Sequence, residues 1–167
     1  EEENDVVVLG DNNFDDFLSR HEWVFVKYYA PWCGHCKNMA PAYAELALDN
    51  KYKADGIPIV KVDATVAKGV AEKMKPQGFP TLRLYNRGFE IEYKGGRDKK
   101  DIQAFIDQKL AVKPQLIDSV DEFDELTGAR LAAIYYLEST ESVDVKAFNR
   151  FILQFDNNIP FAYTHNI

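Results

Sequence analysis

The chain has 167 residues, of which 46% are hydrophobic, so it is long enough for one complete domain and part of another. Its net charge of −7 argues against a nucleic-acid-binding surface, and no apolar run approaches the roughly 18 residues that insert across a membrane. The acidic start at residues 1–5 has no signal-peptide pattern, which fits a cytosolic protein or a secretory one whose signal has been removed.

Strand and helix patterns alternate along the first part of the chain. Apolar runs bounded by turn residues predict strands, and apolar positions spaced by three or four residues predict helices. Strand–helix–strand connections favour parallel strands, so we predict an α/β domain whose closing hairpin forms an antiparallel edge. In chain order we expect a strand at 5–9, a helix through Phe14, Phe17 and Leu18, a strand at 23–29, a helix at 37–52 kinked at Pro41, a strand at 57–62, a helix through Val66, Val70 and Met74, strands at 81–85 and 89–93, and a helix through Ile102, Phe105, Ile106 and Leu110.

The remainder of the chain, after Pro114, weakly repeats the opening. A capping box at 119–122 starts a helix, and the run at 131–137 resembles the strand at 23–29. Where the first copy continues with Pro31-Trp32-Cys33, the second has Glu138-Ser139-Thr140. We therefore predict a catalytic domain at 1–113 and a partial, non-catalytic domain at 114–167, in which a helix through Val145, Phe148, Ile152 and Phe155 precedes a strand at 160–163.

The two cysteines of the chain, Cys33 and Cys36, form one C-x-x-C pair between a predicted strand and a predicted helix. A zinc site needs four ligands, of which this pair supplies two, and haem attachment needs a histidine where Lys37 stands. A structural disulfide across so short a loop removes little entropy from the unfolded chain. A redox dithiol fits better, because a helix start stabilises a thiolate at Cys33 and places Cys36 to attack a mixed disulfide.

Two residues stand between the cysteines. We expect Gly34 to let the chain turn tightly. His35 carries a partial positive charge near neutral pH, so it should stabilise the reduced state and make the pair more oxidising. Alternatively, His35 is only an exposed residue in a turn.

The string YYAPWCGHCKNMAPAY resembles the active-site segment of protein disulfide isomerases, which have a thioredoxin fold: a mixed central sheet flanked by helices. The similarity continues through KVDAT (61–65), GFPT (78–81) and YKGGR (93–97), so it covers the whole first domain. The second unit resembles, more weakly, the start of a non-catalytic thioredoxin-like domain of the same family.

This resemblance implies an enzyme of the endoplasmic reticulum lumen that forms and rearranges disulfides in folding proteins through Cys33 and Cys36. It implies no metal and no organic cofactor. The implied partners are client proteins with thiols or disulfides, and glutathione or an upstream thiol oxidase. Two alternatives remain: a client-binding chaperone module whose redox activity is secondary, and a cytosolic thioredoxin-like reductant.

The resemblance also implies roles for four residues around the dithiol. Pro80 matches the cis-proline that lies against the cysteines, where the backbone of Phe79 can pair with an extended client peptide. Trp32 matches an exposed aromatic residue that contacts clients, or else it packs on the domain surface. Arg97 matches an arginine that can move toward the second cysteine and lower its pKa, or else it is a surface residue in a turn.

One position departs from the family. A buried glutamate usually stands six residues before the first cysteine and accepts the proton of the second, but here the residue is Lys27. The family also places a lysine, here Lys61, near that position. Two lysines in one buried pocket cannot both be charged cheaply. We expect at least one to be neutral, so that Lys27 accepts the proton of Cys36, or proton transfer is impaired, or Lys27 reaches solvent from the strand end.

Overall fold

A computed structural model describes residues 2–112, 115–127, 133–136, 143–154 and 160–164. The chain divides into two compact units, Glu1–Ala104 and Phe105–Ile167. The boundary expected at Pro114 lies outside the described residues, so the division into domains of 1–113 and 114–167 stays a prediction.

The first unit contains a mixed six-stranded sheet. Its elements are, in order, β1 (Glu2–Glu3), β2 (Val6–Leu9), α1 (Phe14–Arg20), β3 (Trp23–Tyr29), α2 (Gly34–Tyr52), β4 (Ile59–Asp63), α3 (Lys68–Met74), β5 (Thr81–Asn86), β6 (Phe89–Tyr93) and the start of α4 (Lys99–Leu110). The strand order is β1-β2-β4-β3-β5-β6. Strands β2, β4 and β3 are parallel, and β5 and β6 are antiparallel. The predicted α/β fold with an antiparallel hairpin edge is confirmed.

The central strand β3 is covered on both faces, as its continuous apolar run predicts. One face joins the core cluster that contains Phe14 of α1 and Val70 of α3. The other face lies under α2, where the rings of Phe25 and Tyr43 are 6.3 Å apart. The Tyr43 hydroxyl donates a hydrogen bond of 2.7 Å to the carbonyl oxygen of Val60 in β4. These contacts hold α2 across the sheet, and its first turn begins close to the carboxyl end of β3.

Two helix boundaries differ from the sequence prediction. Helix α2 begins at Gly34 rather than Lys37, because the Cys33 sulfur accepts a hydrogen bond from the Cys36 N–H and caps the helix. Helix α3 begins at Lys68, so the placement of Val66 on its apolar face was wrong, and Val66 is 75% exposed. The Asp63 carboxylate accepts hydrogen bonds from the N–H and the hydroxyl of Thr65, which holds this segment in a turn. The helix therefore starts later than the four-residue spacing suggested.

The second unit has a three-stranded parallel sheet. Its elements after α4 are β7 (Gln115–Leu116), α5 (Val120–Thr127), β8 (Ala133–Tyr136), α6 (Val143–Ile152) and β9 (Phe161–Thr164), with strand order β7-β9-β8. The predicted partial second unit is therefore present. In the capping box the Glu122 N–H donates to Ser119, as expected, but the Glu122 carboxylate accepts from the Asp118 N–H instead of from Ser119.

Several predicted features of this second unit fall beyond the described residues. The expected strand at 131–137 is described as β8, while Leu131, Ala132 and Leu137 are not described. Phe148 and Ile152 are buried on one face of α6, as predicted. The side chain of Val145, the residue Phe155, the segment 138–140 and the terminal Ile167 lie outside the described residues.

The junction between α2 and β4 leaves no room for a side chain at Gly56. A Cβ atom there would collide with the backbone carbonyl of Asn50, whose side chain accepts a hydrogen bond from the Ile57 N–H. We expect Gly56→Ala to lower the free energy of unfolding by at least about 1 kcal/mol, because overpacking forces the backbone to shift. Gly10→Ala is the matched control, since a Cβ at Gly10 meets nothing within 4 Å. Equal urea midpoints for the two variants would contradict this prediction.

Candidate active site

Cys33 lies at the point where α2 begins and acts as its N-terminal cap. Its own N–H donates to the carbonyl of Ala30 at 3.1 Å, and its sulfur accepts the N–H of Cys36 at 3.3 Å. Its carbonyl accepts the N–H of Lys37, which closes the first helical turn. The predicted position at the junction of strand and helix is therefore observed. Both cysteines are buried, free thiols, with exposed fractions of 7% for Cys33 and 5% for Cys36.

The surroundings lower the pKa of Cys33. The largest cause is the hydrogen bond between the Cys33 and Cys36 side chains, which stabilises the Cys33 thiolate. Burial opposes this effect, while the backbone N–H groups of Cys36 and His35 and the positive charge of Arg97 reinforce it. A helix start adds a partial positive charge of the same sign. Cys33 is therefore the thiol that ionises first, as the attacking nucleophile of the pair must.

The pKa of Cys36 is shifted the other way, to about 11. Burial is the main cause, because it penalises the charged form, and the hydrogen bond to Cys33 and the negative charge of its thiolate add to it. A backbone hydrogen bond from the Ala30 segment and the charge of Lys27 partly offset the rise. One thiol is thus prepared to react and the other keeps its proton.

The segment before β5 forms the opposite side of the site. The Phe79–Pro80 peptide bond is cis, and the Cys33 thiol donates to the Phe79 carbonyl at 3.5 Å. Thr81, the residue after Pro80, is paired with Tyr28 across the sheet, which brings this segment to the end of β3. The structure thus brings together Cys33, Cys36, Phe79 and Pro80, which the sequence analysis grouped through the resemblance alone.

Trp32 provides an exposed aromatic surface beside the sulfur. Its side chain is 72% exposed, and its ring meets the ring of Phe79 edge to face, with 6.0 Å between centroids. It is not packed into the domain core. An exposed aromatic ring with a half-buried one beside a reactive thiol is suited to contact an apolar peptide.

Gly34, His35 and Arg97 lie on the exposed side of the site. Gly34 is the first residue of α2, and a Cβ there would meet nothing within 4 Å, so its expected role in a tight turn is not required by the backbone. His35 is the second residue of the helix and offers its backbone N–H to Cys33. Arg97 stands between β6 and α4, and its charge lowers the pKa of Cys33, whereas the expectation concerned Cys36.

Lys27 lies on β3, and only 4% of it is exposed. The expectation that it could reach solvent from the strand end was therefore wrong. Its Nζ atom is 4.1 Å from the centroid of the Tyr43 ring and 5.8 Å from that of Tyr29. On the neighbouring strand β4 its paired residue is Lys61, which is half-buried. The two lysines thus stand side by side, as the family resemblance implied.

Tyr43 is a buried contact of Lys27 that the sequence analysis missed. It is fully buried, it anchors α2 to the sheet, and its ring faces the ammonium group of Lys27. Tyr43 follows Cys36 by seven residues, which puts the two on one face of a helix. The seven-residue spacing was visible in the sequence, but the sequence did not show that this face of α2 packs against Lys27.

No group of three or more His, Cys, Asp and Glu side chains in the described part of the chain is placed to hold a metal ion. No helix within the described residues is long and apolar enough to cross a membrane.

Comparison with known proteins agrees with this geometry. The thioredoxin family profile matches residues 5–108. Protein disulfide-isomerase of Drosophila melanogaster is 37% identical over 149 residues, which cover 89% of this chain and 30% of that protein. Human protein disulfide-isomerase A4 is 42% identical over 133 residues, which cover 76% of this chain and 21% of that protein. The chain therefore spans less than a third of these relatives.

Solved structures show the same fold. The first thioredoxin domain of mouse protein disulfide-isomerase A4 superposes with a TM-score of 0.62 at 35% identity, covering 72% of this chain and 89% of that one. Human ERp44 (crystal form II) covers 98% of this chain and 46% of its own, with a TM-score of 0.76 at 22% identity. The second comparison supports the fold alone.

Removing the side chain of Cys36 should raise the pKa of Cys33, because the hydrogen bond between them is the main cause of the lowered value. We expect Cys36→Ala to titrate at higher pH than Cys36→Ser, which retains an O–H donor. Each variant has a single thiol, so the rate of alkylation by iodoacetamide against pH reports Cys33 directly. Identical profiles for the two variants would show that the hydrogen bond has no such effect.

Proposed function

Because this chain belongs to the thioredoxin family and its first unit is of the kind found in protein disulfide isomerases, we propose that it is a thiol–disulfide oxidoreductase and isomerase acting on folding proteins. The observation that carries the proposal is the opposite shift of the two thiols: the pKa of Cys33 is lowered at the helix start, and that of Cys36 is raised by burial. Disulfide exchange needs this division into an attacking and a resolving thiol.

The proposed reaction begins with Cys33. Its thiolate attacks one sulfur of a client disulfide, which forms a Cys33–client bond and releases the second client sulfur as a thiolate. The released thiolate can attack another client disulfide, so that the client is rearranged without net oxidation. If the released thiolate attacks no other client disulfide, Cys36 loses its proton and attacks the Cys33 sulfur. This releases the reduced client and leaves a Cys33–Cys36 disulfide. In reverse, that disulfide is transferred to a client dithiol with two electrons moving to the cysteines.

We propose that Trp32, Phe79 and Pro80 receive the client next to Cys33. The exposed Trp32 ring and the half-buried Phe79 ring supply an apolar surface. The Phe79 backbone is a candidate partner for an extended client strand, since its carbonyl is within 3.5 Å of the Cys33 sulfur. Attack at Cys33 rather than Cys36 follows, because the sulfur that adjoins the client surface is that of Cys33.

We further propose that His35 and Arg97 make the pair oxidising. Groups that stabilise the Cys33 thiolate stabilise the reduced dithiol and leave the disulfide unaffected. The His35 N–H and the Arg97 charge both act in this direction. Oxidising rather than reducing chemistry fits disulfide formation in client proteins.

The remaining features of the proposal follow from the chemistry. The dithiol is itself the redox group, so no metal or organic cofactor is needed. Glutathione or an upstream thiol oxidase would reoxidise it, clients would be proteins with thiols or disulfides, and the endoplasmic reticulum lumen is the compartment that fits. The division into a catalytic domain at 1–113 and a partial non-catalytic domain at 114–167 belongs to the same proposal.

Replacing the two cysteines separately tests the proposed roles. We expect Cys33→Ala to abolish reactivation of a scrambled disulfide protein, and Cys36→Ala to accumulate a covalent complex with the client through Cys33. Activity assays and non-reducing electrophoresis check these outcomes. Trp32→Ala is the companion variant, expected to weaken client capture with alkylation of Cys33 unchanged. Full reactivation by Cys33→Ala would instead favour a chaperone module that does not depend on its dithiol.

Replacing His35 tests the direction of the reaction. His35→Pro removes both the imidazole and the N–H that stabilise the Cys33 thiolate, and proline is tolerated in a first helical turn. We expect the reduction potential to fall, by up to the roughly 90 mV that separates disulfide isomerases from thioredoxin. His35→Ala is the control, since it keeps the N–H and so isolates the effect of the imidazole. Titration against glutathione measures the reduction potentials of both variants and of the wild-type protein. A wild-type potential near that of thioredoxin would favour the alternative function, a cytosolic reductant.

A further inference from the structure

The buried lysine on the central strand has no part in the reaction described so far. Lys27 stands six residues before Cys33, and its side chain meets Tyr43 of α2, the helix that Cys33 caps and that contains Cys36. Only 4% of it is exposed. A buried lysine is costly unless its surroundings stabilise the ammonium group or accept a neutral amine, so its position beside a reactive pair calls for a physical explanation.

The contacts of the Nζ atom favour the charged form. It lies 4.1 Å from the centroid of the Tyr43 ring and 5.8 Å from that of Tyr29, and the electron-rich face of an aromatic ring attracts a cation. The Tyr43 ring is held in place because its hydroxyl donates to the Val60 carbonyl at 2.7 Å. Burial raises the pKa of Tyr43 well above its usual value, so the phenol remains neutral and offers the lysine a ring face rather than an anion.

Tyr29 connects Lys27 to the thiol whose ionisation is difficult: its ring centroid lies 5.8 Å from the Lys27 Nζ atom, and it packs against the buried cluster that contains Cys36. Burial raises the pKa of Cys36 to about 11, so at neutral pH almost none of it is thiolate. The positive charge of Lys27 acts against this rise, although it is a smaller effect than burial and than the hydrogen bond from the Ala30 backbone. A positive charge at this position favours the Cys36 thiolate directly, whereas a carboxylate would disfavour it.

We propose that Lys27 is a positioning residue for the resolving step: a buried ammonium group that stabilises the Cys36 thiolate as it forms. The inference rests on the proposed function, since it concerns the attack of Cys36 on a Cys33–client disulfide. In that step Cys36 loses a proton, its sulfur bonds to the Cys33 sulfur, and the Cys33–client bond breaks. The departing client thiolate or solvent takes the proton, and Lys27 remains protonated throughout.

The groups that face the two residues act on Cys36 in different ways. Cys36 faces Cys33, whose thiolate opposes the ionisation of Cys36. Lys27 faces Tyr43 from α2, Tyr29 from its own strand, Lys61 from β4 and the apolar Leu82 from β5. Lys61 is half-buried, whereas Lys27 is buried. The exposed Arg97 acts on Cys33. Formation of the mixed disulfide removes the Cys33 thiolate, so burial is left to raise the pKa of Cys36, and the Ala30 backbone and the charge of Lys27 to lower it.

The first experiment measures the ionisation of Cys36 without requiring any enzyme activity. In the Cys33→Ala background Cys36 is the single thiol, and its alkylation by iodoacetamide is followed from pH 7 upward. We expect Lys27→Met to move this profile to higher pH and Lys27→Arg to restore it, because arginine keeps the charge. Lys109→Met is the matched control, since Lys109 is equally buried, at 4%, and its Nζ donates to the Leu153 carbonyl in the second unit. Superimposable profiles for Lys27→Met and its parent would overturn the proposal.

The second experiment follows the resolving step itself. With both cysteines present, Cys33 is loaded with glutathione and the release of glutathione by Cys36 is timed at neutral pH. Because a thiol of higher pKa is also more nucleophilic, each unit by which the pKa rises should slow release about threefold in Lys27→Met. The equilibrium constant with glutathione at pH 7 should not change, because reduced Cys36 is protonated in either protein. Unchanged release kinetics together with a changed equilibrium would contradict the proposal.

A further measurement separates the charged lysine from a neutral one that accepts the Cys36 proton. The ¹³Cε resonance of Lys27, assigned by its loss in Lys27→Met, reports whether the side chain is protonated at pH 7. We expect the protonated form, and a neutral amine would overturn the proposal in favour of a base. If Lys27→Met does not fold, Lys27→Gln provides a second neutral variant to compare with Lys27→Arg. The two proposals can fail separately. If the wild-type protein rearranges no client disulfides but Lys27→Met still moves the alkylation profile of Cys36 to higher pH, the proposed function is refuted and the effect of Lys27 on Cys36 is established.

Discussion

The hydrogen bond from the N–H of Cys36 to the sulfur of Cys33 is the interaction on which the rest of the site depends. It is at once the cap of α2 and a stabilising contact for the Cys33 thiolate. The cap lies at the start of α2, and Cys36 follows within the first turn, where it is buried. A single local structure therefore holds two thiols with different chemistry, and Arg97 and Lys27 act on that difference.

The adjustment comes from two sides of the fold. On the exposed side, backbone N–H groups and the charge of Arg97 favour the Cys33 thiolate. On the buried side, removal from water raises the pKa of Cys36 and so keeps its proton in place, while the charge of Lys27 lowers that pKa. Separating the two pKa values in this way lets one thiol attack while the other waits, which is the order of events that disulfide exchange requires.

The sheet supplies the geometry that these effects need. Strand β3 ends at the active site, and the antiparallel pairing of β5 with it carries Phe79 and Pro80 to the same place from more than forty residues away in the sequence. Tyr43 fixes α2 to β4 and faces Lys27 at the same time, so the packing of the helix and the environment of the lysine are set by one side chain. The site thus draws on the core as well as on its surface loop.

The order of strands and helices and the position of Cys33 at a helix start were predictable from local patterns in the sequence, and the proximity of Lys27 and Lys61 was implied by the family resemblance. The exposure of Val66, the cysteine on which Arg97 acts and the contact of Tyr43 with Lys27 were not predicted. Each depends on which face of an element is covered by another element distant in the chain. Local periodicity identifies an apolar face, but only tertiary packing decides what lies against it, and the ionisation of a thiol responds to that packing.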